Sequence, residues 1–449
     1  MEKTTRQIAE WIAGFDASGI REEALSRAKH AVLDWTGVAI AGAREPLVDI
    51  LVADALDNGE TGECALVGRA ETVAPASAAL INGAASHALD FDDVNRQLHG
   101  HPSVAVLPAV LTLAEQHRAS GRELLDAFIV GYQVACAVGE MIEPDHYLAG
   151  WHSTGTAGTF GAAAGAARLL GLDARQCAHA LGLAATQAAG LKAMFGTMAK
   201  PLHAGKAAMN GLLAARWAAR GFNANPDAIE AHQGFAHTQT TSFSASLLPG
   251  ASHERLAVEA GLYKYHAACY LTHASLEAVG SIVTANGFKP DEVARIEVSV
   301  LPSLHDVCDI AAPESGLEVK FSIRHLVAMA IAGVDTGALG SYSDETARRS
   351  DLIALRDRVE LIDDDLPNPN CARVVIKTDK GKRLEKFADV SEPCSDTPVQ
   401  WNKLTDKFRR LVGPVLGDEH AQGQADAIGR LDEAPAAFKL GTLDLIPGA

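Results

Sequence analysis

Aromatic side chains make up only 5% of this 449-residue chain, whereas Ala and Gly abound and apolar residues reach 48%. A core that large with so few rings implies helices packed closely through small residues. Cysteine is sparse as well. Cys64, Cys136, Cys177, Cys269, Cys308, Cys371 and Cys394 are widely spread, and none forms C-x-x-C. That argues against a disulfide framework and a structural zinc site, and it points to a reducing compartment. Positive charge is in deficit: 39 Lys and Arg face 56 Asp and Glu, for a net charge of −17. Nucleic acid and anionic membrane surfaces are poor partners for such a chain. No uncharged apolar run reaches the roughly 20 residues that span a bilayer. The segment from Met1 to Gln7 lacks a signal-peptide apolar stretch, so a cytoplasmic protein is expected. The small-residue run from Thr156 to Arg168 lacks G-x-G-x-x-G spacing, which argues against a dinucleotide site there.

At about 150 residues per domain the length suggests two or three domains. From residue 4 to about 265 the pattern reads as helical, with Ile8, Trp11, Ile12 and Phe15 recurring at helical spacing. A run from Pro201 to Arg220 carries Pro at its start and Gly221 beyond its end, as helix limits do. After about 290 the period changes to two. Residues 295–301 and 358–362 read as strands, and 372–378 with 382–387 form a hairpin around Asp379-Lys-Gly381. A helix near 323–332 is expected to pack on that sheet. Residues 397 to about 437 turn helical again and return to the first domain. The expected fold is mainly α: a large all-helical domain over 1–266 and 394–449, and a smaller α+β domain over 267–393. No internal repeat or low-complexity linker interrupts it.

Chemistry-bearing residues concentrate in His87-Ala-Leu-Asp90-Phe-Asp92-Asp93-Val-Asn-Arg96-Gln-Leu-His99-Gly-His101-Pro-Ser103, where six Asp or His fall within fifteen positions. His87, Asp90 and Asp93 are spaced by three and share a face if the helix before them continues. An Asp beside a His fixes its tautomer and raises its basicity. The plainer reading is a helix end with surface carboxylates. H-x-H with D-x-D-D matches no strong metal spacing, so no metal is expected. His152 stands ahead of the small-residue helix, either facing a cleft or bonded to backbone within the core. Lys200 precedes Pro201, which pushes it out of helical geometry, at a helix start where the dipole favours anions. Lys264 lies between Tyr263 and Tyr265, a partly apolar setting that lowers a lysine pKa.

Four segments in this order resemble the MmgE/PrpD family: D-F-D-D through H-P-S (Asp90 to Ser103), His152 with its Gly/Ala helix, K-P-L-H-x-G-x-A-A (Lys200 to Ala208), and Y-K-x-x-x-x-C-x-x-x-H (Tyr263 to His273). Lys320-Phe-Ser322 resembles a later family motif. The resemblance spans nearly the whole chain. It implies a helical domain closed by an α+β lid, a homodimer, no metal or organic cofactor, and catalytic positions at Asp90, His101, His152, Lys200 and Lys264. The family includes 2-methylcitrate dehydratases, cis-aconitate decarboxylases and an iminodisuccinate epimerase; in length and local sequence the chain is most similar to the last. It departs from the common pattern at Val94, where many members carry Thr, and at His305-Asp306, where the decarboxylase carries Tyr. The resulting expectation is a cofactor-independent epimerase. His101 and His152 would remove and return an α-proton of a small amino or imino dicarboxylate, with Asp90 orienting one imidazole. Lys200 and Lys264 would hold its carboxylates, with His203, His266 and Arg96 as further contacts. A hydro-lyase, a decarboxylase and a non-catalytic binder of small polyacids stay open as alternatives.

Overall fold

The computed structural model describes residues 3–245 and 255–435. The chain divides into two compact units, Met1–Tyr263 with Cys394–Ala449, and Lys264–Pro393. The tail of the expected C-terminal helical stretch, residues 436–437, lies outside the described residues.

The longer helices of the first unit are Thr4–Gly14, Glu22–Gly42, Pro46–Asp57, Pro75–His87, Pro102–His117, Gly121–Ile142, Ala157–Leu169, Ala174–Ala185 and Ala199–Ala219, joined by the later Thr397–Leu416 and Asp418–Gly429. A short antiparallel pair, β1 (Cys64–Ala65) and β2 (Thr72–Val73), makes this unit not wholly helical. Small residues do set its packing. A Cβ on Gly161 would lie 2.7 Å from the Gly131 carbonyl oxygen, and one on Gly205 would lie 2.2 Å from the Leu80 carbonyl oxygen. Backbones touch at these crossings, which is why few rings are needed to fill the core. The Gly121–Ile142 helix starts with a Ser120/Glu123 capping box. By length and composition it passes as a membrane span, yet 89% of its apolar window is buried inside the protein.

Two local expectations fail here. The helical reading to about 265 stops at Gly221, whose φ of +89° closes the Ala199–Ala219 helix. Among the described residues beyond it, only Phe235–Gln239 and short 3-10 turns such as Ala257–Ala260 are helical before His273. Asn223, Asn225, Pro226 and Gly234 favour turns over helix in that stretch. Lys200 is not pushed out of the helix by Pro201: the helix begins at Ala199 and Lys200 is in its first turn. First-turn N–H groups have no intrahelical partner, so the proline there costs no hydrogen bond.

The second unit is built on a four-stranded sheet. Its strands are β3 (Val293–Val300), β4 (Val359–Asp363), β5 (Cys371–Thr378) and β6 (Arg383–Asp389), in the order β4-β3-β5-β6. β3 and β4 are parallel, with Ile296 opposite Val359; β3–β5 and β5–β6 are antiparallel. The parallel pair needs a crossover, which the intervening Ile323–Ile331 and Ser350–Arg356 helices supply. Val298, Val300, Val374 and Ile376 form one core with Val279, Ile282, Val327 and Ile331. The β5–β6 turn has Gly381 at φ +79°, where the sequence places its turn glycine.

Candidate active site

The Asp/His segment does not continue the helix before it. That helix ends at His87, and Asp90 sits in the left-handed region at φ +52°. His87, Asp90 and Asp93 therefore do not line one helical face. Asp tolerates this conformation better than most side chains. Backbone bonds pin the turn: Val94 and Leu262 exchange bonds of 2.8 and 2.9 Å, and Asn95 N–H donates to the Gly100 carbonyl at 2.9 Å. The chain re-enters a helix at Pro102, with His101 at the N-cap and its N–H donating to Thr154 Oγ1 at 3.0 Å.

This turn buries Asp92 between two imidazoles. Its carboxylate oxygens lie 3.0 and 3.1 Å from His87 Nδ1, and Oδ2 lies 2.8 Å from His101 Nδ1. Burial alone would raise its pKa, but the rings of His101 and His87 outweigh burial and hold the carboxyl well below its ordinary value. Asp92 is therefore ionised. Burial pushes His87 down to about 4, against the pull of Asp92. It is neutral at pH 7 and gives its Nδ1–H to Asp92. Its Nε2 then carries a lone pair, and that buried atom has no hydrogen-bond partner. An imidazole oriented by a carboxylate with its other nitrogen unprotonated is a general base by geometry.

Two further groups complete the cluster. Lys200 Nζ lies 2.7 Å from Asp90 Oδ1, and His101 Nε2 lies 3.8 Å from the same oxygen. The His152 ring stacks 5.9 Å from that of His87, and its Nδ1 lies 3.0 Å from His203 Nδ1. Burial, with His87 and Lys200 nearby, holds His152 well below its ordinary pKa, and burial pushes His203 down to about 4. Lys200 thus connects through Asp90, His101 and Asp92 to His87. Behind it, Asp93 accepts from Ser103 Oγ at 2.9 Å and Tyr132 OH at 3.3 Å. Burial and then the Asp34 and Asp92 charges push Asp93 well above the usual carboxylate range. Environment alone therefore pushes these adjacent carboxyls in opposite directions.

Helix packing brings these groups together. His87 ends one helix, while Lys200 and His203 open another; a Cβ on Gly83 of the first would lie 2.7 Å from Gly205 Cα of the second. His152 is held by its N–H to the Gly190 carbonyl at 3.0 Å, and Phe195 meets it edge-on at 5.0 Å. Of the expected site residues, Asp90, His101, His152, Lys200 and His203 gather here. Arg96 is exposed on the turn. Lys264 is buried at the start of the second unit. His266 is half-buried in that unit, with Nδ1 2.7 Å from Thr336 Oγ1 and Nε2 3.4 Å from Glu277. His87 and Asp92 are additions to the set; their five-residue spacing meets only because of the turn at Asp90.

The ligand atoms of His87, Asp90, Asp92 and His101 all lie within 4.8 Å of one another, close enough for a single ion. Two His and two Asp suit a divalent transition metal. At Asp90, however, the Lys200 ammonium already supplies the cation, and a metal would have to displace it.

The MmgE/PrpD N-terminal domain model matches residues 6–247, and the C-terminal domain model matches 266–433. The chain belongs to the MmgE/PrpD family. It is similar to the cis-aconitate decarboxylase of Aspergillus terreus, at 28% identity over 95% of this chain and 93% of that protein. It is also similar to human cis-aconitate decarboxylase, at 27% identity over 99% of this chain and 95% of that protein. The family resemblance therefore stands, while these relatives lend no support to the narrower likeness to iminodisuccinate epimerase.

Proposed function

We propose that this MmgE/PrpD chain is a lyase that works without an organic cofactor on a small di- or tricarboxylate, with cis-aconitate the first substrate to test. The observation that carries this reading is the buried, ionised Asp92 shared by His87 and His101 beside the Lys200–Asp90 pair. Relatives named as cis-aconitate decarboxylases, similar along almost the whole chain, support the decarboxylase type over the epimerase. In this scheme Lys200 pairs with a substrate carboxylate. The bond between the methylene carbon and its carboxylate breaks, CO2 leaves, and the electron pair shifts through the neighbouring C=C toward the carbon that bears the far carboxylate. His101, with its Nδ1 2.8 Å from Asp92, gives that carbon a proton and takes a replacement from solvent. One proton is consumed and one CO2 is released per turnover. Fixed charge placed where anionic charge develops is the main source of rate here.

His305, where the decarboxylase carries Tyr, is exposed, and its two ring nitrogens lie 2.7 Å from Asp309 and 2.8 Å from Asp363. It ties a short helix to the end of β4, which a phenol could not do in the same way. A second reading, epimerisation of an imino or amino dicarboxylate such as iminodisuccinate, is favoured by one observation. His87 and His152 are two imidazoles with depressed pKa, 5.9 Å apart in one buried cluster. Removal and return of a proton on opposite faces needs two such groups. The test is a parallel incubation with cis-aconitate, 2-methylcitrate and iminodisuccinate, followed by NMR and CO2 capture. CO2 release supports the lyase reading. Interconversion of iminodisuccinate stereoisomers without CO2 replaces it with the second reading, and no turnover of any of the three overturns both.

A further inference from the structure

We infer that Lys407, on the returning Thr397–Leu416 helix, is a positioning residue for the candidate site, acting through the Phe91 backbone on Asp90 and Asp92. The inference rests on the reading that the 90–92 turn carries the chemistry. Lys407 Nζ donates to the Phe91 carbonyl at 2.6 Å and to Asp34 Oδ1 at 2.7 Å. It also lies 3.9 Å from the centre of the Phe91 ring. All three residues are buried: Lys407 is 6% exposed, Asp34 3% and Phe91 1%.

An ammonium ion on the buried face of a helix is costly to desolvate. Leu404, Phe408 and Leu411 on the same helix are buried too, and a Met or Leu at 407 would pack there without that cost. The charge needs a purpose other than packing. Phe91 stands between the two carboxylates of the site, and Asp90 before it holds a left-handed φ of +52°. Such a conformation at a residue other than Gly persists only when its surroundings over-determine it. Two lysines contribute to this. Lys200 holds the Asp90 side chain at 2.7 Å, and Lys407 holds the next carbonyl. Asp34, from the Glu22–Gly42 helix, pairs with the Lys407 ammonium at 2.7 Å and fixes the direction in which Lys407 reaches the carbonyl. Lys407 acts through the Phe91 backbone, so it is a positioning group and not a catalytic one.

The test uses the full chain and two variants. Lys407→Met leaves Asp34 buried without this partner and is at risk of misfolding. The double variant Lys407→Met/Asp34→Leu removes the ion pair as a whole and fills its place with apolar groups, which keeps the fold. The first readout is the ring-nitrogen NMR signals of His87 and His101, which need no substrate. In the folded double variant these signals move or become tautomer mixtures, and kcat on cis-aconitate falls at least tenfold while KM stays within threefold. Asp92→Asn is the control for the site reading. Unchanged ring signals and a kcat within twofold in the double variant, alongside an inactive Asp92→Asn, overturn the role of Lys407 and leave the site standing. Wild-type kcat in Asp92→Asn overturns the site and this inference with it.

Discussion

Replacing Asp92 by Asn changes the fewest atoms and removes the feature on which the site depends. The carboxylate receives His87 Nδ1 at 3.0 Å and His101 Nδ1 at 2.8 Å. An amide carries no charge and its NH2 end cannot accept, so only an oxygen at the Oδ2 position, 3.1 Å from His87 Nδ1 and 2.8 Å from His101 Nδ1, is left to face both rings. The hold on the His87 tautomer and the negative charge beside His101 are both weakened. Loss of tautomer control and of one proton-transfer group each reach about 10²–10⁴ in rate. Stability moves far less. Two charge-assisted contacts, each worth about 1.5–3 kcal/mol, are weakened. The desolvation cost of the buried carboxylate also disappears, so we expect a net loss of about 2 kcal/mol or less. The assay pairs kcat with urea unfolding and a ring-nitrogen NMR spectrum of the histidines. A kcat reduced at least a hundredfold in a variant that unfolds near the wild-type midpoint is the expected result. A kcat within threefold of wild type, with both histidine tautomers unchanged, refutes the reasoning.

Stability should fall in mild acid. His30, His87 and His203 are each pushed down to about 4 by burial, whereas an unfolded His titrates near 6.5. Between those values the unfolded chain binds protons that the native state refuses, so stability is lost as pH falls. His87 alone contributes about 2 kcal/mol of loss by pH 5; urea midpoints that agree at pH 7.5 and pH 5 would contradict this. Gly205→Ala should destabilise the first unit by about 3 kcal/mol, because the new Cβ meets the Leu80 carbonyl oxygen at 2.2 Å. It should also lower kcat by displacing Lys200 and His203 from His87, and a wild-type melting curve with wild-type turnover speaks against that.

Period and punctuation made much of the fold legible. The β3 strand alternates as Ile296, Val298 and Val300 inward, and Gly381 marks the β5–β6 turn. Gly221 marks the end of the Ala199–Ala219 helix. The residue types of the site were legible as well, since Asp90, His101, His152, Lys200 and His203 are a concentration of titratable groups in an Ala/Gly-rich chain. Their partnerships were not. The His87–Asp92 contact depends on a left-handed Asp90, and helical spacing places His87 with Asp90 instead. Lys200 reads as unwound by Pro201 until the helix is seen to start one residue before it. Lys407 reads as one more charge on an amphipathic helix, because its partners Asp34 and Phe91 lie more than 300 residues away in the chain.

We propose that this buried His/Asp/Lys cluster moves a proton at carbon on a small polycarboxylate. It is tested most directly by turning over cis-aconitate in D2O and locating deuterium in the product by NMR, with Asp92→Asn alongside. We expect CO2 release with one deuterium at the carbon that bears the far carboxylate, and neither event in the variant. CO2 release with equal deuterium incorporation in wild type and Asp92→Asn would contradict it.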